Sequence, residues 1–378
     1  MTERSFHTRR GVLAGGTALL GSLAGCATVL SDGDDTPKPT LDDFRGDTGL
    51  VGERPVPDGP RIADLPELDG RLTVYVAGSA SERYERLVGL FERTYPGFDP
   101  TLRVEPAEVL VAALREQAEA GNVRADVLLA TDAAAVDTLA DDDLTAPLPD
   151  DVTARVPRRF RPTDTWVGVG AHSRALAYDA AAFDADAMPT SVHALPDDVP
   201  GSIAWAPRSY GFRTFVTALR ALAGRDTARE WLRSVLAADT ETVDGEFFAV
   251  NAVAHGDASL ALASHQDVLR VRAGEDAPDL GLAFTEGDAG ALVNATAAAV
   301  LRASSAATLA REFVRHLLSA EAQEFVATDA LAYPVTDGVA PIAALPPMDA
   351  LSPPALSLAT LGDVARTESL LQEVGILP

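Results

Sequence analysis

Residues 71–96, read as RLTVYVAG followed by SASERYERLVGLFERTYP, decide the fold class. The first eight residues form an apolar run of β-forming types, which predicts a buried strand. The residues after it have helical periodicity, and Ser79 or Ser81 is expected to cap the helix. The apolar side chains that share one face of this helix are Tyr84, Leu87, Val88 and Phe91. A strand that runs directly into an amphipathic helix is the repeating unit of an α/β domain.

The same alternation continues along the chain, with strands and helices at the spacing typical of a mainly parallel sheet. In such sheets, ligands lie at the carboxyl ends of strands and the amino ends of helices. No internal repeat of fixed period is present, which excludes solenoids. Further strands are predicted at TLRVEP (101–106), ADVLLAT (125–131), GSIAWAP (201–207), SLALAS (259–264) and GALVNATAAAVLRAS (290–304).

The charge of the chain is unusual for its length. The 378 residues allow about two domains, and they carry 56 acidic against 31 basic residues for a net charge of −25. Lys38 is the only lysine. An acidic surface poor in lysine stays hydrated when salt screens its self-repulsion, which favours a haloarchaeal source; replacement of Lys by Arg in a GC-rich genome is a compatible alternative. Nucleic acid is not expected as a partner because no basic patch occurs.

The amino terminus carries an export pattern in HTRRGVLAGGTALLGSLAGC, residues 7–26. The pair Arg9 and Arg10 resembles a twin-arginine signal, and the four residues that end at Cys26 resemble a lipobox. We therefore expect residues 1–25 to be removed and Cys26 to be lipidated, which would hold the protein at the extracellular face of the cytoplasmic membrane. An ordinary amino-terminal helix with an unrelated cysteine is the alternative.

Residues 26–70 are rich in Asp, Pro and Gly without a sustained period. This composition predicts a disordered acidic tether between the anchor and the folded domain.

Enzyme motifs are absent from the sequence. There is no G-x-S-x-G elbow, no H-E-x-x-H and no Walker loop, and the Gly168-Val169-Gly170 stretch lacks the third glycine of a dinucleotide fingerprint. We expect a non-enzymatic protein without a cofactor.

The stretch from Leu72 to Pro378 resembles the extracellular solute-binding proteins of ABC importers, in particular their ferric-iron-binding branch. The likeness rests on six segments in the order of that family: 72–82, 125–149, 166–183, 203–222, 287–301 and 313–335.

The resemblance implies the type 2 periplasmic-binding-protein fold, an α/β architecture of two lobes with crossing hinge strands and a central ligand cleft. It predicts lobe 1 at 71–173 plus 291–345 and lobe 2 at 174–290 plus 346–378. It also implies a monomer that delivers its ligand to a membrane permease and ATPase complex.

The same resemblance points to cleft residues in the first half of the chain. Ser79 and Ser81 follow the first strand, where helix-start amides would face an anion. Glu108 lies at a helix start beside the cleft, and Asp132 is either a helix cap or a ligand. Arg174 either pairs with a bound anion or forms an interlobe salt bridge.

In the second half of the chain, the resemblance places Ser209 and Tyr210 on a turn beside the cleft. The departure from the family lies in SLALASHQD. There the ferric branch has His-Tyr-Tyr, and its paired tyrosines bind iron as phenolates. Here the positions read His265-Gln266-Asp267, at what is expected to be the end of a strand.

A second family position is also replaced, by Gly245 and Glu246. Glu246, Gln266 and Asp267 thus complete the candidate ligand-binding set, and the carboxylates of Glu246 and Asp267 are the candidate metal ligands, with Tyr210 as a further oxygen donor.

Three hypotheses remain open at this stage. The protein binds iron(III), directly or as a chelate, for an importer. Alternatively, the same scaffold binds another small anion or polar solute, such as a thiamine-like or phosphate-like ligand. Finally, it is a surface lipoprotein whose degenerate cleft has only a structural or interaction role.

Overall fold

The computed structural model describes residues 38–78, 81–197, 201–274 and 279–378. Within these ranges strands and helices alternate as the sequence predicts. The strands are β1 Gly70–Ala77, β2 Phe98–Glu105, β3 Val127–Ala130, β4 Val167–Asp179, β5 Ile203–Trp205, β6 Thr240–Thr242, β7 Leu260–Ser264, β8 Leu280–Ala283, β9 Val293–Val300 and β10 Tyr333–Pro334. The helices are α1 Ser81–Thr94, α2 Ala107–Glu119, α3 Ala133–Asp141, α4 Asp150–Thr153, α5 Tyr210–Ala223, α6 Arg225–Ala237, α7 Glu246–Ala254, α8 His265–Arg272, α9 Ala307–Leu317, α10 Ala320–Thr328 and α11 Val364–Glu373.

The opening strand and helix behave as their sequence predicts. Strand β1 pairs in parallel with β2 on one side and with β3 on the other. Helix α1 buries the predicted apolar face against this sheet, because residues three and four apart lie on the same side of a helix. The four buried side chains are Tyr84, Leu87, Val88 and Phe91.

Strand β4 belongs to two sheets. From Val167 to Ser173 it pairs antiparallel with β9, and from Arg174 to Tyr178 it pairs antiparallel with β7. The strand order is therefore β2-β1-β3-β9-β4-β7-β5-β6, with β10 beside the first part of β4 and β8 beside its last part. We call the part built on β1, β2, β3, β9 and β10 lobe 1, and the part built on β5, β6, β7 and β8 lobe 2.

The carboxyl-terminal segment contacts both lobes. On lobe 2, α11 packs on α5, where Arg213 pairs with Glu368 at 3.2 Å and Thr217 shares a hydrogen bond with Thr367 at 2.7 Å. On lobe 1, the short 3-10 helix Leu358–Gly362 packs against α3.

The predicted disordered tether over 26–70 is wrong from Lys38 onward, because these residues pack on lobe 1. Phe44 is buried with its ring centroid 6.2 Å from that of Phe91. The guanidinium groups of Arg45 and Arg54 each donate to Glu324 Oε1 at 2.9 Å. Asp- and Pro-rich composition predicts disorder only when no packing partner exists, and here the partners lie far along the chain.

The predicted export signal at 1–25, the lipidation site Cys26 and the rest of the segment up to residue 37 lie outside the described residues. None of the helices in the described ranges is long and apolar enough to cross a membrane.

The ion pairs of Glu324 provide a test of the packed segment. Glu324 is 1% exposed and Arg54 is 7% exposed, so Glu324→Ala leaves a buried guanidinium without its carboxylate. We expect a loss of about 3 kcal/mol in the free energy of unfolding, measured by denaturant titration. The matched control is Asp99→Ala, which breaks the exposed pair with Arg71 and should leave the midpoint nearly unchanged. Equal midpoints for both variants would contradict the packing of residues 38–69.

Candidate functional site

A cleft of about 930 Å³ lies between the two lobes. On the lobe 1 side it is bordered by the ends of β1, β2 and β3 and by the first turn of α2. On the lobe 2 side it is bordered by the first turns of α5, α7 and α8. The carboxyl ends of parallel strands and the amino ends of helices therefore meet at one cavity, as expected for ligand sites in α/β proteins.

A buried ion pair forms the lobe 2 wall of the cleft. Arg174 Nη1 donates to both Oε1 and Oε2 of Glu246 at 2.7 Å, and Arg174 Nη2 donates to the carbonyl of Leu262 at 3.1 Å. A Cβ at Gly211 would lie 2.5 Å from Glu246 Oε1, so glycine is what allows α5 to approach the pair this closely. Of the two alternatives predicted for Arg174, an anion contact and an interlobe salt bridge, the structure shows a salt bridge, but its partner Glu246 lies in lobe 2.

Glu246 is further occupied by two other donors. Ser209 Oγ donates to its Oε1 at 3.0 Å, and the backbone amide of Ser264 donates to its Oε2 at 3.0 Å. With both oxygens engaged, this carboxylate is not available as the metal ligand that the sequence predicts. The buried Nε of Arg174 has no partner within the described residues.

Ser209 and Tyr210 lie beside the cleft, as the resemblance implies. Ser209 caps α5, and its Oγ accepts from the amide of Phe212 at 3.1 Å. Tyr210 is half-buried, and the guanidinium carbon of Arg213 lies 5.6 Å from its ring centroid. Burial, together with the carboxylates of Asp132 and Glu108, raises the pKa of the Tyr210 phenol, so the phenol is protonated at neutral pH.

Asp132 caps α3 and also joins the two lobes. Its Oδ1 accepts from the amide of Ala134 at 2.7 Å, and its Oδ2 accepts from Thr214 Oγ1 at 3.1 Å and from Asn294 Nδ2 at 2.8 Å. Because α3 belongs to lobe 1 and α5 to lobe 2, this one carboxylate contacts both sides of the cleft. Burial raises its pKa despite the three donors.

The trio His265-Gln266-Asp267 begins a helix and is not the strand end that the sequence suggests. Strand β7 ends at Ser264, whose Oγ accepts from the amide of Gln266 at 3.3 Å and caps α8. An apolar run followed by a serine and an acidic residue in the next turn is a helix-start pattern, and this signal was available in the sequence.

His265 and Gln266 connect the lobes at the hinge. His265 is fully buried; its Nδ1 accepts from the amide of Ser173 at 3.0 Å, and its Nε2 donates to the carbonyl of Leu331 at 3.0 Å. Burial lowers the pKa of His265 to about 3, so the ring stays neutral. Gln266 Nε2 donates to the carbonyl of Ala330 at 2.6 Å. Both side chains therefore hold the lobe 1 segment that leads into β10.

Asp267 is the ionisable cleft residue of the trio. Its side chain is 18% exposed and pairs with Arg270 at 3.1 Å. Burial, and then the negative charge of Glu246, raises the pKa of Asp267 to about 6. A cation bound beside this carboxyl would favour its ionised form and so lower its pKa.

The remaining predicted residues lie in the first half of the chain. Glu108 is exposed in the first turn of α2 and lines the cleft. Ser79 lies outside the described residues, and Ser81 is described only as the first residue of α1, without its side chain.

Several cleft residues were missed from the sequence. Arg83 and Arg86 lie on the polar face of α1, three residues apart, and both bind Asp329. They form a cationic strip on lobe 1, and the spacing of the two arginines was its only sequence signal. Lobe 2 contributes a second set, which is Arg213, Phe247, Phe248 and Arg270.

Across residues 38–78, 81–197, 201–274 and 279–378, no group of three or more His, Cys, Asp or Glu side chains is arranged to hold a metal ion. With Glu246 engaged by Arg174, the pair Glu246 and Asp267 does not form the predicted metal site in this conformation.

Residues 88–352 match the family described as bacterial extracellular solute-binding protein, and the chain belongs to this family. The family consists of solute-binding proteins, in agreement with the expectation of a non-enzymatic protein.

Two curated relatives come from Synechocystis. Iron uptake protein A1 is 24% identical over 294 residues, which is 75% of this chain and 80% of the relative. Iron uptake protein A2 is 27% identical over 278 residues, which is 69% of this chain and 80% of the relative.

Solved structures agree with the fold. Iron-bound HitA from Pseudomonas aeruginosa has a TM-score of 0.73 at 28% identity, covering 81% of this chain and 99% of HitA. The ferric binding protein from Campylobacter jejuni has a TM-score of 0.70 at 18% identity, covering 80% of this chain and 99% of that protein. The predicted two-lobed type 2 periplasmic-binding-protein fold is thereby confirmed.

The role of Glu246 can be tested by Glu246→Gln, which removes the charge and keeps the shape. Because Arg174 is buried, we expect the free energy of unfolding to fall by about 3 kcal/mol in denaturant titrations. The control is Asp267→Asn, in the same cleft but beside the half-exposed Arg270, which should not lower stability. A Glu246→Gln protein as stable as the parent would contradict a structural role for the ion pair.

The raised pKa of Asp267 predicts a pH dependence. The folded state holds this proton up to about pH 6, whereas the unfolded chain releases it near the ordinary value of 3.8. The contribution of Asp267 to stability is therefore complete below about pH 4 and is lost as the pH rises to about 6. Between these values the stability of Asp267→Asn should increase relative to the parent, measured by unfolding at each pH in constant salt. A difference that does not change with pH would contradict the raised pKa.

Proposed function

We propose that this protein is the substrate-binding lipoprotein of an ABC importer, and that it binds iron(III) in the interlobe cleft as an anionic complex. The observation that carries the proposal is the mixed charge of the cleft. Carboxylates at Glu108 and Asp267 and guanidinium groups at Arg83, Arg213 and Arg270 border the same cavity. Carboxylate oxygens suit a hard trivalent cation, and guanidinium groups suit the anions that accompany it.

The names of the relatives support iron as the metal. Two of them are iron uptake proteins, and HitA was crystallised with iron bound. These names describe the relatives, and the charge pattern of the cleft is what links this chain to the same class of ligand.

A complex fits the cleft better than a bare ion. The positions that hold paired tyrosines in the ferric branch are Gln266 and Asp267 here, and Gln266 is bound to the carbonyl of Ala330. The phenol of Tyr210 is held protonated. Most of the iron ligands would therefore come from the chelator, and the volume of about 930 Å³ leaves room for one.

A second candidate is the same scaffold with another small anion or polar solute. The replacement of the tyrosine pair by Gln266 and Asp267 favours it. An open cleft lined in part by charged side chains supports both binding hypotheses, whereas a surface lipoprotein with a degenerate cleft would have its cavity filled by apolar side chains.

Delivery would follow from lobe closure. A ligand that contacts both lobes stabilises the closed form by its differential affinity, and the closed form would dock on the permease and its ATPase. We propose that a lipid on Cys26 holds the mature protein at the extracellular face of the cytoplasmic membrane, and that the acidic, lysine-poor composition reflects a haloarchaeal source.

A thermal-shift panel in molar potassium chloride tests the proposal. The ligands are ferric citrate, ferric ion with phosphate, iron-free phosphate, thiamine, and divalent metal ions. Ferric citrate at about 100 times its Kd should stabilise the protein by about 2.7 kcal/mol, and divalent ions should have no effect. Stabilisation by thiamine or by iron-free phosphate, with none by either ferric form, would instead establish the second candidate.

A further inference from the structure

Apolar side chains are exposed at the mouth of the cleft. Phe248, in the first turn of α7, is 59% exposed and lines the lobe 2 side. Val104, near the end of β2, is 38% exposed and lines the lobe 1 side. Among the large apolar side chains that are exposed within the described residues, Phe248 is the one aromatic, and together with Val104 it gives the cleft an apolar contact surface.

Phe248 belongs to a cluster with Phe247, Arg270 and Asp267, which we call the aromatic corner. Its ring meets that of the half-buried Phe247 edge to face, with the centroids 6.0 Å apart and the planes at 75°. The guanidinium carbon of Arg270 lies 4.9 Å from the centroid of Phe247, and Arg270 is paired with Asp267 at 3.1 Å. This corner therefore combines an exposed ring, a cation and a carboxylate.

The combination matches a particular ligand chemistry. A planar aromatic ring gains from packing against an exposed phenylalanine, and oxyanions on that ring gain from a guanidinium. An aliphatic polycarboxylate would use the arginines and gain nothing from Phe248. The corner thus distinguishes aromatic from aliphatic chelators.

We propose that the transported ligand is an iron(III) complex of an aromatic chelator with adjacent oxygen donors, of the catecholate or hydroxybenzoate class. The ring of the chelator packs on Phe248, and its charge is met by Arg270. The inference rests on the proposed function and narrows it from an anionic iron complex to one chemical class.

Calorimetric titration tests the inference, with the ferric complex of 2,3-dihydroxybenzoate compared with ferric citrate and with iron-free 2,3-dihydroxybenzoate. The parent protein should bind the aromatic complex more tightly than ferric citrate. Phe248→Ala should weaken the aromatic complex about tenfold and change ferric citrate less than about twofold. Phe248→Trp keeps an aromatic surface and should retain most of the affinity.

The control is Leu236→Ala, which truncates another exposed apolar side chain, on α6 and outside the cleft lining. It should change neither affinity. Circular dichroism and the thermal midpoint verify that each variant is folded.

Two results overturn the inference and leave the proposed function standing. An equal loss for both ferric complexes in Phe248→Ala would mean that Phe248 seals the closed cleft, for instance against Val104, without recognising the chelator. No loss for either complex would remove Phe248 from the site. If neither ferric complex binds the parent, the proposed function fails. In that case the titration with iron-free 2,3-dihydroxybenzoate tests the subsite by itself. Binding to the parent that is weaker in Phe248→Ala would support an aromatic subsite, and no binding would overturn it.

Discussion

The architecture depends on one strand that serves two sheets. Strand β4 pairs with β9 up to Ser173 and with β7 from Arg174 onward, without a break in the chain. The amide of Ser173 donates to His265, and the side chain of Arg174 holds Glu246. Two successive residues therefore fix the hinge and one wall of the cleft. Because the cleft lies beside the point where the partner of β4 changes, a change in the angle between the lobes at this point would change the width of the cleft.

Because β4 pairs with β9 of lobe 1 and with β7 of lobe 2, the trio His265-Gln266-Asp267 that follows β7 lies beside both lobes. His265 and Gln266 donate to the carbonyls of Leu331 and Ala330. These bonds join α8 of lobe 2 to the lobe 1 segment that precedes β10. Asp267, the third residue of the trio, instead borders the cleft.

The fold was largely predictable, and the reason is local. Alternating strand and helix periods identified the units, and the apolar face of α1 is buried as its spacing predicts. Apart from the helix that begins at His265, the errors concern contacts between residues that are far apart in sequence. Arg54 and Glu324 are separated by 270 positions, so the acidic composition around Arg54 gave no sign that the segment packs. Arg174 and Glu246 are separated by 72 positions, and two residues that each suggested a ligand contact neutralise one another. A local sequence pattern predicts which face of a helix or strand is buried. It does not predict which charged residues from distant parts of the chain will form a pair.

The charge of the protein determines which contacts can select a ligand. With a net charge of −25, the protein repels an anionic complex at low ionic strength. In about 1 M salt the screening length falls to about 3 Å, and both this repulsion and any long-range attraction by the cleft arginines vanish. Selection then depends on groups in direct contact with the ligand, of which apolar and aromatic surfaces are weakened least by salt. In such a medium an exposed phenylalanine that contacts the ligand would contribute more to specificity than another arginine, because its contribution would not depend on charge.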